Sequence, residues 1–100
     1  MAYILRVDFP FEGPFEPNVP EEMKSLAQSI NEEPGFIWKI WTENPDNKEA
    51  GGIYAFDSEA HAQKYLAMHS ERLKQMGVSS INSKIFKVND TLTHITKGTL

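Results

Sequence analysis

The chain contains no cysteine. Disulfides, a thiolate nucleophile and thiolate metal ligation are therefore excluded. Basic residues are in the minority, with 10 Lys and Arg against 14 Asp and Glu and a net charge of −4. Without a basic stripe to displace counterions from phosphates, nucleic acid is not an expected partner. No apolar run approaches the ~20 residues of a membrane-crossing helix, so no membrane association is expected. Met1 to Arg6 lacks a leader pattern and begins as a strand, which makes the cytoplasm the expected compartment. Only three histidines are present, scattered at His61, His69 and His94 without ligand spacing, so no metal site is expected. No phosphate-cradling glycine loop, dinucleotide fingerprint or nucleophile elbow occurs, and no cofactor is expected.

What is present is a length of 100 residues, enough for a single domain (1–100) with a modest core. Tyr3, Leu5, Val7 and Phe9 alternate with polar neighbours, the period of a half-buried strand. Pro10 to Pro17 reads as a loop, and its Phe11 and Phe15 are expected to tuck onto the body at a pocket mouth. Asn18-Val19-Pro20-Glu21-Glu22 has the composition of a helix start with Asn18 as cap. Val19, Met23, Leu26, Ala27 and Ile30 form one apolar helical face, and Pro34-Gly35 is a tight turn.

Phe36 to Glu43 predicts a second strand, with Phe36, Trp38 and Ile40 on one face and Ile37, Lys39 and Trp41 on the other. Asn44 to Lys48 is a polar turn, and Glu49 to Phe56 completes a hairpin. A turn centred near Asp46 sets Trp38 opposite Tyr54 and Trp41 opposite Gly51. Asp57-Ser58 caps a second helix whose stripe is Ala62, Tyr65, Leu66, His69, Leu73 and Met76, with Gly77 as its stop. Ser80 to Asn89 is a last strand. The tail from Asp90 to Leu100 carries Leu92 and Ile95 as expected anchors.

The order β-α-β-β-α-β predicts a ferredoxin-like α+β fold, a four-stranded antiparallel sheet with both helices on one face. The other face would be left apolar, with Ile37 and Trp41 as the expected examples. Two such faces packed together would make a homodimeric α+β barrel.

The segments Ser29-Ile30-Asn31 through Trp38-Lys39-Ile40-Trp41-Thr42-Glu43, and Glu49-Ala50-Gly51-Gly52-Ile53-Tyr54, resemble the YdhR-type mono-oxygenase family. So do Tyr65-Leu66, His69, Arg72-Leu73-Lys74 and Gly77-Val78, and the opening Phe9, Phe11, Gly13-Pro14-Phe15. The resemblance spans nearly the whole chain and implies a dimeric α+β barrel. Its structural cousins include cofactor-free quinone-forming oxygenases and haem-degrading oxygenases, and the superfamily also holds isomerases and non-catalytic members.

The candidate site residues follow from the same segments. Trp38, Trp41 and Tyr54, with Phe36 and Phe56 nearby, either wall a planar aromatic ligand or fill the core and a dimer interface. Gly52, beside Gly51, either admits a ligand to the strand backbone or marks a bulge. His69, on an apolar stripe, is a general base, a haem-iron ligand or a satisfied core histidine. Asn31 either donates to a substrate oxygen or caps the first helix in a left-handed conformation. Arg72, one turn after His69, and Lys39 are cations that either bind an anionic oxygen or form ion pairs. The expected reaction is cofactor-independent mono-oxygenation of a small hydroxylated aromatic or polycyclic substrate. The alternatives are a non-catalytic or stress-related dimer that binds a small planar ligand, and a haem-binding or haem-degrading protein.

Overall fold

The computed structural model describes residues 2–98, so Met1 and the last two residues of the expected tail lie outside the described residues. Its element order is β1 (Tyr3–Pro10), α1 (Glu21–Ile30), β2 (Phe36–Asn44), β3 (Glu49–Phe56), α2 (Glu59–Gln75), β4 (Asn82–Lys87) and α3 (Asp90–Ile95). The four strands form one antiparallel sheet in the order β2-β3-β1-β4, the ferredoxin-like α+β arrangement. β1 is central because its alternation serves both neighbours, Leu5 pairing with Tyr54 on one side and Ile85 on the other.

The core lies between sheet and helices. Leu5 and Val7 from β1, Tyr54 and Phe56 from β3, Ile30 from α1, and Ala62, Tyr65 and Leu73 from α2 are all buried together. Each large apolar side chain buried here contributes roughly 1.5–3 kcal/mol. α2 delivers its stripe because Ser58 sits at its N-cap, where the hydroxyl accepts the His61 N–H at 3.2 Å. Met76, expected to complete the stripe, is 62% exposed, because it lies past the last helical turn at the C-cap.

Several expectations are corrected. α1 starts at Glu21 behind Pro20 with no side-chain cap, so Asn18 is not its capping residue. Asn31 ends α1 with right-handed φ −58°, not left-handed, and the turn instead places Gly35 at φ +75°. Leu92 and Ile95 are not anchors: both lie on the short α3 and are 60% and 69% exposed.

The largest correction concerns β2. A bulge between Phe36 and Trp38 slips the register by one residue. Lys39, not Trp38, stands opposite Tyr54, and Trp41 stands opposite Gly52 rather than Gly51. Phe36 therefore shares the helix-side face with Lys39 and Trp41. Trp38 and Ile40 face the other way, beside Ala55 and Ile53. The helix-free face is thus apolar through Ile4, Trp38, Ile40, Ile53 and Phe86, and Trp41 is not part of it.

Candidate functional site

Between α1, α2, the sheet and the loop of residues 11–19 lies a cavity of about 600 Å³. The sheet supplies Phe9, Lys39, Trp41 and Tyr54, α1 supplies Met23 and Leu26, and α2 supplies His69 and Leu73. The loop supplies Phe11 and Pro14 as a roof. It is held over the hairpin by the Phe11 N–H to Lys48 carbonyl bond at 2.8 Å and by the Glu16 N–H, which donates to the Glu43 carboxylate at 3.3 Å. Phe15 does not line the cavity but packs edge-on against Phe11 at 5.5 Å.

The polar groups gather at one end. Arg72 Nη2 donates to Tyr65 Oη at 3.2 Å and meets His69 Nδ1 at 2.9 Å. A guanidinium can only donate, so His69 Nδ1 accepts and the neutral ring carries its proton on Nε2. Burial, then the charges of Arg72 and Lys39, lower the His69 pKa to about 4, so the ring is neutral at pH 7. Tyr54, 1% exposed, shares a side-chain hydrogen bond with Tyr65, and burial pushes its phenol far above the ordinary range. The Tyr65 phenol is likewise raised by burial. Tyr54, Tyr65, Arg72 and His69 form one linked network, with Tyr54 and His69 on the cavity wall and Tyr65 and Arg72 behind it.

Lys39 stands where the slipped register puts it, its Nζ 3.2 Å from the centroid of the Trp41 ring and 4.5 Å from that of Tyr54. Gly52 makes this possible, since a Cβ there would lie 2.5 Å from Lys39 Cε and 3.1 Å from the Tyr54 ring. Burial, and secondarily the Arg72 charge, lower the Lys39 pKa to about 7. Among the described residues the ion pairs are Arg6–Asp8, Lys24–Glu21, Lys48–Glu12 and His61–Asp57, so neither Lys39 nor Arg72 has a carboxylate partner. Arg72 Nε is buried without a hydrogen-bond partner.

Of the residues singled out in the sequence, the structure brings Trp41, Tyr54, His69 and Arg72 together, with Gly52 as the space that admits Lys39. Arg72 stands behind His69 rather than on the cavity wall. Phe56 is fully buried beneath the site. Asn31, Phe36 and Trp38 border an adjoining hollow of about 360 Å³ between α1 and β2, which Lys39 and Trp41 also line. His61 is tied to Asp57 at 2.6 Å at the start of α2, and this bond lowers the Asp57 pKa. No group of three or more His, Asp or Glu placed to hold a metal ion occurs among the described residues. Its place under two rings holds the Lys39 amine near neutrality. Its signal in the sequence was a lysine between two tryptophans, and only the register shows which ring it stacks on.

The arrangement can stack a planar ring against the half-exposed Trp41, remove a proton at Lys39 and offer a donor at His69 Nε2. An imidazole ligand to haem iron would need an unprotonated nitrogen, and Arg72 occupies the one His69 has.

Comparison with known proteins agrees with this fold. No curated protein matches the sequence. The structure of a mutant of SnoaB, a cofactor-independent oxygenase from Streptomyces nogalater, superposes with TM-score 0.60 at 16% identity, covering 88% of this chain and 93% of that one. A "putative antibiotic biosynthesis monooxygenase" from Deinococcus radiodurans gives 0.57 at 12% identity, covering 89% and 93%. Protein YJCS gives 0.56 at 16% identity, covering 88% and 98%. At these identities the likeness is one of fold. The sequence itself matches the family model "Putative mono-oxygenase ydhR" over residues 4–99, and the chain belongs to that family.

Proposed function

We propose that the protein is a cytoplasmic, cofactor-independent mono-oxygenase of small hydroxylated aromatic substrates. The observation that carries this reading is Lys39: an amine without a carboxylate partner among the described residues, held against two aromatic rings inside a cavity of substrate size. A neutral amine there accepts the proton of a phenol or of its keto tautomer. The resulting anion supplies the electrons. Its ring carbon bonds to O₂, and the substrate peroxide so formed loses water. Overall a CH₂ and O₂ become C=O and H₂O, one oxygen atom entering each product. Lys39 returns its proton to the peroxide oxygen, and the second C–H proton leaves with the departing hydroxide as water. His69 Nε2–H and the nearby Arg72 charge stabilise the anion in a site of low dielectric. The fold shared with an enzyme described as a cofactor-independent oxygenase supports the same reading. The test is oxygen uptake with an anthrone: consumption above the buffer rate, with a quinone as product, is the expected outcome. An unchanged rate overturns the proposal.

The active unit we propose is a homodimer. Ile40 is 55% and Phe86 42% exposed on the helix-free face, and Ile4, Ile53 and Trp38 continue the patch. A second copy packed sheet to sheet covers this area and closes a barrel. Light scattering at micromolar concentration should give about twice the 11.4 kDa chain mass, and Ile40→Lys should lower it toward one chain. A wild-type mass near one chain refutes the dimer.

A further inference from the structure

Two cations stand at the inner end of the cavity, Lys39 on its wall and Arg72 behind His69. Lys39 and Arg72 have no carboxylate partner among the described residues. Tyr54 and Tyr65 stay protonated, and the His69 Nε2–H is a donor. The remaining charged groups on the wall are Lys24 on α1 and Glu16 and Glu43 at the hairpin end. Glu43 is four residues along β2 from Lys39, roughly 13 Å at the rise of a strand, and is engaged by the Glu16 N–H. Glu33 acts electrostatically on Tyr65. The missing counter-charge is therefore to be supplied by a ligand, and the aromatic walls require that ligand to be flat.

We propose that this cavity also binds planar aromatic carboxylates, which act as dead-end inhibitors by holding Lys39 as the ammonium ion. The binding step moves one proton: a neutral Lys39 takes it from solvent as the carboxylate arrives, and no bond to carbon forms or breaks. The inference rests on the reading of the cavity as the substrate site. An acid bound in this way removes the base that oxygenation needs, so it competes with a phenol without being turned over. Because the amine is neutral above about pH 7, the affinity for the carboxylate falls as pH rises from 7, by up to about tenfold per unit.

Calorimetry of the intact protein tests this with 1-hydroxy-2-naphthoate and with 1-naphthol. Titrations at pH 8 in phosphate and in Tris read the protons taken up through the difference in buffer ionisation heat. The carboxylate is expected to bind about 10–100-fold more tightly than the naphthol, the range of a charged hydrogen bond. Uptake should approach one proton at pH 8, and both the preference and the uptake should be lost in Lys39→Met. Equal affinities, binding without proton uptake, or no binding of either ligand would overturn the proposal. The wild-type heats decide it even if the variant folds poorly. Neither calorimetric quantity depends on oxygen turnover, so failure here is distinguishable from failure of the oxygenase reading.

Discussion

Lys39→Met is expected to leave a folded protein whose oxygen consumption with an anthrone falls by about 10²–10⁴-fold, the usual contribution of a positioned base. Methionine keeps an apolar stem as far as Cε and removes the amine together with its contacts to the Trp41 and Tyr54 rings. In the wild type, the active form is the neutral amine, so kcat/KM should rise as pH increases through about 7. The variant should show no such rise. Stability provides an independent check on the same group. The folded pKa of Lys39 is lowered to about 7 from 10.5, so between these values the unfolded chain binds more protons than the folded one. This contribution makes wild-type stability rise with pH across that window, and the burden on the fold is complete below 7. Urea midpoints measured at intervals from pH 7 to 10 should climb less steeply for the variant. Parallel wild-type and variant curves, with oxygen uptake unaltered, would remove Lys39 from the chemistry.

Gly51→Ala should have the second large effect, this time on the fold. A Cβ at position 51 would collide with the carbonyl oxygen of Val7, and it would lie 2.8 Å from Asp8 Cα. Both are backbone atoms of the paired strand β1, and neither can move without parting β1 from β3. Overpacking of this kind costs about 3 kcal/mol, a large share of the ~5–15 kcal/mol that holds a domain together. For a domain this small, the melting temperature should drop by roughly 10–20 °C. Gly52→Ala makes the informative contrast. Its new methyl meets the flexible end of Lys39, which can swing away, so its cost falls more on the cavity than on the sheet. A small loss of melting temperature for Gly51→Ala, no larger than for Gly52→Ala, would contradict the close approach of β1 and β3.

How much of this was legible in the chain depends on the kind of signal. The alternation of Tyr3, Leu5, Val7 and Phe9 identified the central strand, because burial of one sheet face leaves a period-2 record. The 3.6-residue period placed His69 in line with Ala62, Tyr65 and Leu73, and all four are buried on α2. The faces of β2 were not legible. A bulge adds one residue without a composition of its own, and it turned Trp41 and Lys39 inward and Trp38 outward. The proposed base was missed for the same reason. Lysine on a strand usually serves the surface, and only the one-residue slip, with Gly52 opposite Trp41, brings its amine under two rings. The Arg72 to His69 contact could be anticipated from their spacing of three on a helix. That Arg72 would fix the tautomer, and so make His69 a donor, required the atoms of both groups.

The most direct test of the account is turnover of an anthrone under ¹⁸O₂ by the purified protein, with product mass and oxygen uptake measured together from pH 6 to 9. The account predicts one labelled oxygen in the new carbonyl, one O₂ consumed per quinone formed, and a rate that rises through about pH 7 only while Lys39 is present. Product formation no faster than in buffer, or an equal rate in Lys39→Met, would contradict it.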